Sequence, residues 1–283
     1  MFSIPNKTKK TTLLAITLLI SLCADQQIVG MKRKFDETAI WLANQKLLEA
    51  AKLRGNLDGI KDALANGASI HTCDKKGWTA LHHACDSYNC LDETFDEQLA
   101  VVTYLVSQGA NIEVTTSKDS GSVFEPPEDD ETPLHIASRS GLINIVKFLI
   151  ANKANIETRD SAGNTPLMST ARDPFGDIAV IACLLEHGAK VNAQVYDPWG
   201  ISHTALTFVC TRESDNLSYL FEIVKLLVHY KANIQESDIT YAKSPEIKEF
   251  LQIVVSRKLL MEQRLMKNLS SNNLTTDVEF TYE

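Results

Sequence analysis

The chain lacks the signals by which many enzymes and nucleic-acid-binding proteins are recognised. No basic patch occurs in the body of the sequence, and the formal charge is −8. Phosphate contacts need clustered lysine and arginine, so nucleic acid is not an expected partner. Gly-x-Ser-x-Gly, a phosphate-cradling glycine loop and His-Glu-x-x-His are all missing, so no catalytic chemistry is signalled. No apolar run reaches the roughly 20 residues that a comfortable membrane helix needs. Beyond Cys23 the cysteines are Cys73, Cys85, Cys90, Cys183 and Cys210, an odd number at irregular spacing that forms no disulfide framework. His71, Cys73, His82, His83, Cys85 and Cys90 crowd together, but their spacing matches no tetrahedral metal pattern. Structural uses are expected for them, with no metal and no cofactor.

What the chain does have is repetition. A block Thr-x-Leu-x recurs at Thr79–His82, Thr132–His135, Thr165–Met168 and Thr204–Thr207, at spacings of 53, 33 and 39 residues. The shortest interval is the bare unit, and the others carry insertions. A second series closes each unit: Asn66–Ile70, Gln108–Ile112, Asn152–Ile156, His187–Val191 and Tyr230–Ile234. Self-similarity at such a period means a solenoid of stacked units.

Each part of the unit has a physical reason. A threonine hydroxyl accepts an orphan N–H at a helix start, and Pro133 and Pro166 suit the first turn, where no donor is needed. Ala84, Ala137 and Ala171 let the first helix lie close to the second. Ile145, Val146, Leu149 and Ile150 form the apolar stripe of a second helix. Gly67, Gly109 and Gly188 end such helices in left-handed backbone. Lys153 and Lys231 take that place in two units, at an expected strain of about 1 kcal/mol.

These motifs resemble the ankyrin repeat. The stretch Thr132–Ile156 fits that family's unit nearly position by position, and Asp74–Gly77, Asp160–Gly163 and Asp197–Gly200 match its opening Asp-x-x-Gly. The resemblance implies an all-α solenoid, a stack of helix pairs with β-hairpin fingers at right angles. It also implies a non-enzymatic role in binding a protein partner on the concave surface. Thr79, His82, Thr132, His135, Thr165 and Thr204 would serve the motif itself. Partner contacts would come from finger positions (Lys75, Lys76, Trp78, Glu131, Ser161, Ala162, Asn164, Trp199) and from first-helix ends (Asp86, Arg139, Arg172, Arg212). Trp78 is expected to pack beside its finger. Trp199 either anchors a partner or packs against Tyr196.

The organisation follows. Residues 1–30 carry Lys7, Lys9 and Lys10, then the apolar run 11–24 ending at Ala24, the pattern of a secretory signal peptide. Retention of 11–24 as a membrane anchor is the alternative, and lipidation at Cys23 is disfavoured because Leu22 sits where a small residue is expected. An intracellular protein starting at Met31 is a further alternative. Residues 31–39 read as a linker, 40–267 as about five repeats with a C-terminal capping helix, and 268–283 as a disordered tail. Asp86–Gln98 and Arg212–Ser218 lengthen inter-helix turns, as does Asp173–Gly176. Thr115–Glu131, with the acidic run Glu128–Glu131, reads as a long mobile finger that favours a basic partner. The protein is expected to be a monomer.

Overall fold

The computed structural model describes residues 36–53, 55–86, 95–116, 130–174, 176–212 and 216–271. Helices follow in pairs: α1 (36–52) with α2 (Leu57–Ala65), α3 (Ala80–Ala84) with α4 (Phe95–Ser107), and α5 (Pro133–Arg139) with α6 (Ile143–Ala151). The series continues with α7 (Pro166–Arg172) and α8 (Ile178–Glu186), α9 (Ala205–Thr211) and α10 (Leu217–His229), and α11 (Glu236–Thr240) and α12 (Pro245–Ser271). The fold is an all-α repeat solenoid. Among the described residues one finger is a regular hairpin: β1 (Val195–Tyr196) pairs antiparallel with β2 (Ser202–His203). The finger before α3 closes on a single bridge between Cys73 and Thr79.

Thr79, Thr132, Thr165 and Thr204 each stand in extended backbone directly before a helix. That geometry lets the side chain turn back onto the first turn. The leucine two residues on falls inward every time: Leu81, Leu134, Leu167 and Leu206 are all buried. From the second helices, Val101, Val102 and Leu105 face Ile145, Val146 and Leu149, then Val180, Ile181 and Leu184, then Ile223, Val224 and Leu227, in one continuous core. Ile150 lies only partly within it. Ala84, Ala137 and Ala171 are buried where first helix meets second. The first helices α5, α7 and α9 approach one another more closely than do the second helices. The stack is therefore concave on the first-helix side.

Several boundaries differ from the sequence reading. Residues 36–39, read as linker, form the first turn of α1, where Asp36 and Glu37 suit the positive helix end. Gln98, placed in an inserted turn, lies inside α4, and its buried amide donates to the carbonyl of Ala84 at 2.6 Å. The closing pair begins at Glu236. Asp238 there takes the place of the motif histidine, its carboxylate accepting from Gln235 N–H at 2.7 Å and from the Thr207 hydroxyl at 2.7 Å. Residues 268–271, read as tail, continue α12. The root of the long finger is also ordered: Thr116 N–H donates to the Glu131 carbonyl at 3.0 Å, and Glu131 N–H donates to the Thr116 hydroxyl at 2.9 Å. The signal, anchor and lipidation readings of residues 1–30, residues 31–35, Cys90, Val123, Phe124, Glu128, Asp129 and residues 272–283 lie outside the described residues.

Lys153 and Lys231 do adopt left-handed backbone, with φ of 69° and 65°. A Cβ at the equivalent Gly109 or Gly188 would meet nothing within 4 Å. Space is thus not the issue at this position, and backbone conformation alone decides. Lys153→Gly should raise stability by about 0.5–1 kcal/mol, the left-handed cost less the entropy of glycine in the unfolded chain. Urea melts of the two proteins check it.

Candidate functional site

The finger tips are built by aspartates. The Asp74 carboxylate accepts from the backbone N–H groups of Lys76 at 2.8 Å and Trp78 at 3.0 Å. Asp197 does the same for Trp199 at 2.9 Å and Ile201 at 2.8 Å, and Asp160 for Asn164 at 2.7 Å. Such turns satisfy the backbone internally and turn the intervening side chains outward. Lys75, Lys76, Ser161 and Ala162 are accordingly exposed. Trp199 is 84% exposed, with Tyr196 at 64% and Ile201 at 44% beside it. The tryptophan ring therefore does not pack down. Trp78 behaves differently: it is half-buried against His82 and His83, with ring centroids 6.2 and 5.2 Å away.

The motif histidines join each unit to the next finger. His82 Nδ1 accepts from Thr79 N–H at 3.1 Å, which leaves the proton on Nε2 to donate to the Val114 carbonyl at 3.0 Å. His135 Nδ1 accepts from Thr132 N–H at 3.3 Å, and Nε2–H reaches the Asn164 carbonyl at 3.1 Å. Burial pushes the His82 pKa down to about 4 and lowers that of His135. Both rings are neutral and occupied with backbone. His83 instead meets the Asp74 carboxylate at 3.1 Å, and burial raises the Cys85 thiol far above its usual range. Among the described residues no three of His, Cys, Asp or Glu gather as metal ligands.

Three residues assigned to partner contact face inward. Glu131 is buried, and its carboxylate accepts from Arg139 Nε at 3.0 Å. Asn164 is buried because its amide closes the turn onto the Asp160 carboxylate at 3.1 Å. Arg212 is buried because its guanidinium donates back to the carbonyls of Ala171 and Asp173, tying α9 to the lengthened turn of the preceding unit. Tyr219 braces the same turn, donating to the Gly176 carbonyl at 3.1 Å and accepting from Ile178 N–H at 2.7 Å.

The remaining residues do not gather in one place. Arg139, Ser161, Ala162 and Arg172 border one groove of about 270 Å³, with Glu131 and Asn164 in its wall. Burial opposes the Arg139 cation, but the carboxylates of Glu131, Asp86 and Asp173 outweigh it and hold its pKa above the ordinary value. Lys75, Lys76 and Trp199 stand apart on other fingers. The sequence reading missed Asp160, Ser169 and Asp173, which share the groove, and Tyr196 and Ile201, which flank Trp199. Asp160 was legible as a turn former, and strand alternation about Trp199 would have pointed to Tyr196. Ser169 gave no signal.

The family profile described as ankyrin repeats (3 copies) matches residues 47–160 and 94–195, together more than half of the chain. The chain belongs to the ankyrin-repeat family. A putative ankyrin repeat protein of Rickettsia bellii (strain RML369-C) is 25% identical over 221 residues, 72% of this chain and 90% of its own. The putative ankyrin repeat protein YahD of Escherichia coli (strain K12) is 30% identical over 170 residues, 50% of this chain and 78% of its own. The B-cell lymphoma 3 protein homolog of Mus musculus is 30% identical over 153 residues, 52% of this chain but only 29% of that protein. Ankyrin repeats are protein–protein interaction modules, and the family is in general non-enzymatic.

Proposed function

We propose that this ankyrin domain binds a protein partner with its fingers and first-helix ends, and that Trp199 is the anchor. The exposure of Trp199 carries the reading. A rigid aromatic on a tip braced by Asp197 loses little conformational freedom on docking and buries a large apolar face. Tyr196 and Ile201 extend that face. Affinity capture with the full chain, followed by titration of the captured protein, tests it. Trp199→Ala should weaken that binding by about 2 kcal/mol or more, roughly thirtyfold, with an unchanged melting curve. Undiminished affinity would remove Trp199 from the interface.

We further propose that the chain is exported by a bacterium through its N-terminal segment, toward a host. The basic, apolar and small-residue pattern of residues 7–24 supports export, and the extended likeness to a Rickettsia bellii protein supports a bacterial setting. N-terminal sequencing of the mature protein is the test. A start just after Ala24 supports export. An intact N-terminus that extracts with membranes supports a tethered scaffold instead, and a start at Met31 supports an intracellular protein.

A further inference from the structure

The second helices α2 to α10 stop after 9 to 13 residues, but α12 runs for 27. Ile247, Phe250 and Leu251 stand in α12 where Ile145, Phe148 and Leu149 stand in α6. Since α6 ends at Ala151, the equivalent end of α12 is Ile253. Lys248 lies exposed at the position of the buried Val146, so this face does not offer another ankyrin unit the apolar side chain that interior junctions use. Beyond Ile253 the helix is nevertheless rich in apolar residues. Leu259, Leu260 and Met261 are each more than half exposed, and Met266 is 70% exposed.

These side chains form a track along one side of the helix. Val255, Leu259 and Met266 fall on one line at helical spacing, and Val254, Met261 and Leu265 on the line beside it. The base of the track is a groove of about 240 Å³, walled by Val254, Val255 and Leu259 of α12 and by Val228, Ala232 and Ile234 of the preceding unit. Arg257 and Arg264 neighbour Met261 on the helix surface, four residues before it and three after. Lys258 and Glu262 stand at the groove itself. Over residues 256–266 three exposed cations thus stand against one carboxylate, a charge of +2.

The chain that follows has the complementary pattern. In residues 272–283, Leu274, Val278, Phe280 and Tyr282 fall on one side of an extended strand, and Asp277, Glu279 and Glu283 on the other. Threonine, valine and the aromatics there favour extended backbone. Three carboxylates and no lysine or arginine give this segment a charge of −3.

We propose that residues 272–283 double back along α12 as an extended strap, with Val278, Phe280 and Tyr282 laid in the track and its basal groove. The reach is adequate. From Ser271 back to Leu259 the helix spans about 18 Å, which an extended chain covers in about six residues. Asn272 and Asn273 suit the reversal, since asparagine tolerates the backbone of tight turns. The acidic side chains then lie over the rim at Arg257, Lys258 and Arg264, where solvent-facing pairs fix orientation more than strength. A tethered segment acts at an effective concentration on the order of millimolar. Two α12 extensions from separate molecules would instead bring like charges together. The strap gives the last unit the polar outer face that the end of a solenoid requires. It is independent of the protein-binding reading above and uses none of its residues.

The test is methyl NMR of the full chain, of a chain ended after Ser271, and of that shortened chain titrated with an acetylated peptide of residues 272–283. In the full chain the methyls of Met261 and Met266 should cross-relax with the rings of Phe280 and Tyr282. Shortening should shift the methyl signals of Leu259, Met261 and Met266, and the added peptide should restore them saturably. Phe280→Ala with Tyr282→Ala in the peptide should weaken its binding about tenfold or more, through lost apolar burial. Asp277→Asn with Glu279→Gln should weaken it about fivefold at low salt, with the difference fading as salt rises. Should shortening perturb α12 itself, Phe280→Ser in the full chain gives the same reading by shifting the same methyl signals. Identical methyl spectra for full and shortened chains, or a peptide indifferent to loss of its aromatic rings, would overturn the proposal. Shifts in the full chain that vary with protein concentration would also overturn it, by assigning the track to a second copy.

Discussion

Leu149→Ala should cost about 2–5 kcal/mol, because the change removes transfer energy and leaves a cavity that neighbouring units cannot collapse. Leu149 is fully buried on α6, whose partners α4 and α8 flank it on either side. The lost volume therefore opens onto two junctions at once. Leu134→Ala, from the first helix of the same unit, should act in the same range. Lys147→Ala, on the solvent side of α6, is the control and should stay within about 0.5 kcal/mol of wild type. Denaturant melts followed by circular dichroism measure all three. Coincident midpoints for wild type and Leu149→Ala would mean that the apolar stripe does not carry the stack.

Stability should also fall as pH drops from 7 toward 4, and the motif histidines give the sign. Burial holds the His82 pKa at about 4, below its ordinary 6.5. Between those values the unfolded chain binds a proton that the folded chain refuses, so unfolding is favoured as pH falls through that window. The contribution is complete above about pH 6.5 and approaches a limit near 3 kcal/mol for a shift of this size. His135 is lowered by the same cause and adds in the same direction. Asp238 works against them, because burial raises its carboxyl and its protonation favours the folded form. The histidines outnumber it, so the net slope should be a loss. Urea melts at pH 7 and pH 5 check the sign, and replacing His82 with glutamine should flatten the dependence while lowering stability at pH 7. A ring titration of His82 near 6.5 would contradict the burial argument directly.

The solenoid was legible because its demands recur. A helix start needs an acceptor, and the hydroxyls of Thr79, Thr165 and Thr204 supply it. A close helix pair needs small residues, and Ala84, Ala137 and Ala171 supply them in three of the units. A left-handed stop needs glycine, or a residue that tolerates the strain as Lys153 and Lys231 do. The candidate site was legible only where a turn fixes direction locally. Asp74, Asp160 and Asp197 turn their neighbours outward by bonds within five residues, which leaves Lys75, Lys76, Ser161, Ala162 and Trp199 exposed. Glu131 and Arg212 turn inward onto Arg139 and onto the carbonyls of Ala171 and Asp173, outside their own turns, whereas Asn164 turns inward because its amide closes onto Asp160. Arg212 stands eight residues after its capping threonine where Arg172 stands seven. That extra residue lets Arg212 reach the lengthened turn at Asp173. Ser169 could not be found at all, since nothing in a sequence marks a hydroxyl as unpartnered.

The junctions between units use the same bond over and over. Glu113 accepts from Asn155 N–H at 2.8 Å, Glu157 from Lys190 N–H at 2.8 Å, and Asn192 from Asn233 N–H at 2.7 Å. Each acceptor stands two residues after the equivalent donor position of its own unit, so the two inner units of the series both give and receive at the same height. Such a joint is modular in the genetic sense. A tandem duplication of one bare unit would present a matching acceptor below and a matching donor above, and the register of the rest would survive. The lengthened turn at Asp173–Gly176 is coupled differently, by the side chains of Arg212 and Tyr219 from the next unit. A single-residue slip at Glu157 or Asn192 would break the chain of joints at that level.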